Sequence, residues 1–101
     1  MSDNTEKDKE FYEMADAFIA VANGQSGKVE QGKVSAAFLY AAARFNTFLV
    51  ASASDSAEQF SSRKEDAMEY FVAEYKKMLD EHFSDYTDNF DTYIGNPQYE
   101  K

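Results

Sequence analysis

Few residues in this chain could do chemistry, and each can be set against what that chemistry requires. His82 is the sole histidine, so any imidazole general base or Ser-His-Asp relay would have to use it. It stands between Glu81 and Phe83 at the edge of a helical apolar stripe, the ordinary setting of a half-buried or carboxylate-paired histidine. Gly24-Gln25-Ser26-Gly27-Lys28 looks like a fragment of a phosphate-binding loop. That loop needs a glycine five residues before its Gly-Lys pair and a Ser or Thr after the lysine, and here Ala22 and Val29 hold those places. The run also follows a helical pattern, where the motif follows a strand. It reads as an interhelical loop.

Carboxylates are dense at Glu65, Asp66, Glu69, Asp80, Glu81, Asp85, Asp88 and Asp91. A di-iron bundle needs two Glu-x-x-His motifs, and Leu79 fills the glutamate's place before the single histidine. Asp85-Tyr86-Thr87-Asp88 has neither the alternating ligands nor the central glycine of a calcium loop. A solvated acidic face is the reading, with no metal and no cofactor expected. The chain has no cysteine, which removes thiolate nucleophiles, disulfides and Cys-based metal sites together.

Arg44 is the sharpest anomaly, a permanent charge in an otherwise apolar helix. Structurally, it would pair with a carboxylate of another helix or stack on an aromatic ring. Functionally, Tyr40, Arg44 and Asn46 would form an anion-recognising cluster. These three are the candidate ligand or interaction residues, and no residue is assigned a catalytic role.

The elements that must position these groups are helical. The only proline is Pro97, β-branched residues never alternate over a strand's length, and Ala, Glu, Lys and Met are plentiful. A first helix is predicted over about Thr5 to Asn23, with Thr5 and Asp8 as a capping box and Phe11, Ala15, Phe18 and Ala22 as its stripe. Asn23-Gly24 would end it in a left-handed residue. After a loop from Gly24 to Val29, a second helix starts near Glu30 with Val34, Phe38, Ala41, Phe45, Phe48 and Ser52 in its stripe. Its uncharged run from Ala36 to Ala43 makes it the central helix.

The Ser/Ala-rich stretch from Ala51 to Ser56 predicts a turn. Asp55 with Glu58, or Ser56 with Gln59, then caps a third helix whose stripe is Met68, Phe71, Tyr75, Met78 and His82. A second row follows as Leu79, Phe83, Tyr86 and Phe90, with Glu74–Lys77 and Lys77–Glu81 as surface pairs. One helix from Ser56 to Tyr93 would be about 57 Å long, too long for a compact domain of this size. A break is therefore expected near Ser84 or Asp85. The expected fold is all-α, a three-helix bundle core with a short fourth C-terminal helical segment. It forms a single domain over 1–101, with an ordered core of about 5–93 and a flexible tail at 95–101.

Composition bounds the function classes. The 101 residues are 44% hydrophobic and 16% aromatic, which argues for a folded core despite a net charge of −9. An acidic chain whose few lysines and arginines are spread out repels phosphate, so direct nucleic-acid binding is not expected. The acidic, polar N-terminus does not match a signal peptide. The apolar runs either side of Arg44 are about ten residues each, short of the roughly 18 a membrane span needs. A cytoplasmic protein with no membrane partner is the expectation.

Three stretches resemble a family of short bacterial proteins known only as a domain of unknown function. They are Phe11 to Ile19, Gly32 to Asn46 with its Ala-Ala-Ala-Arg-Phe-Asn run, and Asp80 to Tyr93. The resemblance implies a stand-alone bacterial helical protein and carries no activity, cofactor or catalytic residue. The function expected is a small interaction or assembly module rather than an enzyme, a homo-oligomer or the binder of a protein partner. Two alternatives stand beside it. One is a ligand-binding or enzymatic bundle built on Tyr40, Arg44 and Asn46, and the other an acidic nucleic-acid mimic that blocks a basic partner.

Overall fold

The computed structural model describes residues 2–95, with side chains from Asp8 onward. Four α-helices follow one another: α1 Ser2–Ser26, α2 Gln31–Ser52, α3 Ala57–Ser62 and α4 Lys64–Asp88, then a π-helical turn at Asp91–Gly95. There is no strand among the described residues. The all-α expectation therefore holds, with three long helices. The packing divides the chain into two compact units, Met1–Phe45 and Asn46–Lys101, with the boundary inside α2. Positions 96–101, most of the expected tail, lie outside the described residues.

The first unit holds α1, its connection and the first part of α2. Two expectations about α1 are corrected. The helix begins at Ser2, so Thr5 lies inside it instead of capping it. It also runs through Gly24 to Ser26, and no glycine among the described residues has a positive φ. A single helical glycine costs only about 1 kcal/mol against alanine, and the flanking apolar stripe carries the helix past it. The end comes one turn later. Ser26 Oγ donates to the Ala22 carbonyl at 3.0 Å, and the amides of Lys28 and Val29 close on the Gln25 carbonyl at 2.9 and 3.2 Å. The Glu30 carbonyl then accepts from Lys33 N and Val34 N, which starts α2.

In the second unit, the turn after α2 is held by serines. Ser54 Oγ donates to the Val50 carbonyl at 2.8 Å, and Ser52 Oγ to the Leu49 carbonyl at 3.1 Å. Ser56, extended at φ −155° and ψ 163°, caps α3 by accepting from Gln59 N at 3.1 Å. Gln59 answers by accepting from the Asp55 amide at 2.6 Å. Of the two boxes the sequence offers, Ser56 with Gln59 is the one formed.

The expected break at Ser84 or Asp85 is not there. α4 is unbroken from Lys64 to Asp88, and the interruptions fall at Arg63 and Asn89. Ser84 to Asp88 contains no Gly or Pro, and helix nucleated upstream propagates through capping-type residues at small cost. At the other end, Arg63 sits at φ −91° and ψ −2°, in the sparsely allowed region between helix and strand. Its backbone is held by Arg63 N donating to the Phe60 carbonyl and Ala67 N to the Arg63 carbonyl. The short C-terminal segment exists, but as the π turn at Asp91–Gly95.

On α4, Lys77 pairs with Glu74 at 3.1 Å, one of the two surface pairs expected there. By length and composition α2 is also apolar enough to cross a membrane, with a mean hydropathy of 1.4 over its best 18-residue window. The sequence expectation counted only uninterrupted apolar runs, which Arg44 cuts in two, whereas the whole helix averages over it.

Candidate functional site

The first unit contains an apolar cleft of about 640 Å³ between the late turns of α1 and the early turns of α2. Helical spacing builds it from both sides. From α1 come Phe18, Val21, Ala22 and Gln25, and from α2 Val34, Ala37, Phe38 and Ala41. Both sets recur at steps of three and four, which keeps each on one face. Val29 from the connection and Lys33 from the first turn of α2 complete the lining. Val34, at 9% exposure, is the one buried hydrophobic residue among the described residues.

The space stays open because α1 and α2 make little contact with each other, and Ala22, Ala37 and Ala41, ending at Cβ, add little to fill it. In volume the cleft falls within the range of ordinary ligand pockets. Its chemistry is narrow. The lining offers no carboxylate, imidazole or hydroxyl, only the Gln25 amide and the Lys33 ammonium among apolar groups. Such a site can bury apolar surface and attract negative charge.

The sequence-derived candidates lie elsewhere. Tyr40 and Arg44 stand one turn apart on α2, Tyr40 at 71% exposure and Arg44 likewise exposed. Asn46 is half-buried and two positions beyond Arg44, which places it about 200° further round a helix. None of the three lines the cleft. Arg44 makes no ion pair with any described residue. His82 is exposed on α4, and Gly24 to Lys28 form the last turn of α1 and its connection. The described carboxylates and the histidine do not gather into a metal-holding group.

Missing from the sequence candidates are Lys33 and the pairing of two apolar stripes around a void. Phe18 and Ala22, and Val34, Phe38 and Ala41, are all legible as stripe positions. Their periodicity says that they face something and not whether they fill it.

A second cluster closes α4. Asp85 accepts from Asn89 Nδ2 at 2.9 Å through Oδ1 and from the Tyr93 hydroxyl at 2.8 Å through Oδ2. The rings of Tyr86 and Tyr93 stack with centroids 4.3 Å apart. Both carboxylate oxygens of Asp85 are taken up inside this cluster, which makes it a helix terminator.

The chain belongs to the family described as protein of unknown function, DUF3144, which matches it over residues 11–87. It is similar to a protein from Shewanella sp whose structure was solved by NMR. The two share 37% identity with a TM-score of 0.71, over 84% of this chain and 91% of that one. No protein with a curated description matches the chain.

Proposed function

We propose that this protein is a small cytoplasmic assembly module that works by associating with itself. The observation that carries the reading is the exposure of its large apolar side chains. Phe11, Phe18, Phe45, Phe48, Phe83 and Phe90 are each more than half exposed. Fully burying a phenylalanine is worth roughly 1.5–3 kcal/mol, so six left in water forgo a sum comparable to the whole stability of a domain. Large apolar side chains exposed in this number favour a surface that another chain covers.

Arg44 favours a water-soluble assembly over a membrane span. It lies close to the middle of α2, where a charge at the bilayer centre costs about 2.5–3.5 kcal/mol. At a protein interface the same arginine keeps access to water or to a carboxylate.

Thermal melts at a series of protein concentrations test the proposal. An assembly that folds by associating melts at a temperature that rises with concentration. A melting temperature unchanged between low and high micromolar protein contradicts it.

A further inference from the structure

We infer that the α1–α2 cleft is the seat for the acidic aromatic end of α4 from a second copy of the chain. This rests on the self-association reading and names the surfaces it uses. Leu79, Phe83 and Tyr86 recur at steps of four and three on one side of α4, over a rise of about 10 Å, and Phe90 follows just beyond the interruption at Asn89. They are also exposed, Phe83 at 70%. The cleft supplies the complementary shape, aromatic walls with alanines between them and room for ring side chains.

Charge selects this occupant over the other apolar stripes. Between Phe18 and Ala41, the span that lines the cleft, the chain carries Lys28 and Lys33 against Glu30, and Lys33 lines the cleft itself. From Asp80 to Gly95 it carries Asp80, Glu81, Asp85, Asp88 and Asp91 with no lysine or arginine. The α1 stripe is less suited, because Lys9 tempers its acidic residues and is drawn to Glu13 at 3.8 Å. A cationic apolar seat and an anionic apolar ridge on the same sequence are self-complementary. A two-fold exchange between two copies satisfies both seats at once and leaves neither ridge open.

The test uses the wild-type protein. Isotope-labelled and unlabelled copies are mixed, and NOE contacts are filtered for those crossing from one copy to the other. The expected contacts run from the methyl groups of Val21, Val29 and Val34 in the labelled copy to the rings of Phe83, Tyr86 and Phe90 in the unlabelled one. If those contacts arise only within single chains, or if the copies touch through other residues, the inference is overturned and self-association stands. A single-copy mass removes both. Lys33→Glu gives a second readout, an expected weakening of the dimer by about tenfold at low salt that shrinks as salt is added. An unchanged dissociation constant for that variant overturns the charge-based choice of occupant.

Discussion

The Tyr93 hydroxyl donates to the Asp85 carboxylate at 2.8 Å, eight residues back along the chain, while its ring lies on Tyr86. Asn89, between them, donates from its side-chain amide to Asp85 Oδ1 and to the Asp85 carbonyl. One aspartate thus gathers the end of α4 and sets the π turn beyond it. An anionic acceptor at a helix C-terminus opposes the macrodipole, and the two hydrogen bonds that the Asp85 carboxylate accepts offset this.

Asp85→Ala should therefore loosen the end of α4 without unfolding the protein. The expected outcome is faster amide exchange from Asn89 to Gly95, with a loss of about 1 kcal/mol or less in global stability. Tyr93→Phe, which keeps the stacked ring, should give a smaller change in the same amides. Exchange that stays unaltered in both variants would show that the π turn holds itself.

Arg63 Nη1 donates to the Ala53 carbonyl at 3.1 Å and to Ser54 Oγ at 3.2 Å. The last turn of α2 has no basic residue, so this guanidinium supplies its positive charge from the junction of α3 and α4. Arg63→Ala should cost about 1–2 kcal/mol in a denaturant melt, and Arg63→Lys should recover only part of it, since an ammonium lacks the planar fork. Full recovery by lysine would reduce the contact to simple charge.

Arg44 is exposed with no ion pair to a described residue, so the buried-pair reading of this residue does not match its surroundings here. Arg44→Ala and Arg44→Met should each move stability by only about 0.5 kcal/mol. A loss of about 3–5 kcal/mol would mean that a carboxylate depends on it, and a second copy would be the place to look for that partner.

The local rules are legible in the sequence wherever a side chain answers its own backbone. Ser56 with Gln59, the turn after α2 and the Glu74–Lys77 pair all follow from spacing alone. Gly24 and Ser84 mislead for one shared reason. Each is a residue that favours a helix end, and in each case the surrounding apolar stripe propagates the helix further. The cleft is half legible: its two walls are periodic in the sequence, but whether they bury one another depends on how closely α1 and α2 approach, which periodicity does not give. Lys33 carries no sequence signal of its own, because a lysine in the first turn of a helix is an ordinary surface residue until its neighbours prove apolar.

The central claim is that these apolar faces are covered by another copy, and mass in solution tests it most directly. Light scattering on the eluting protein at high micromolar concentration should return about twice the 11.5 kDa of one chain. A mass of 11.5 kDa that holds at that concentration would contradict the account.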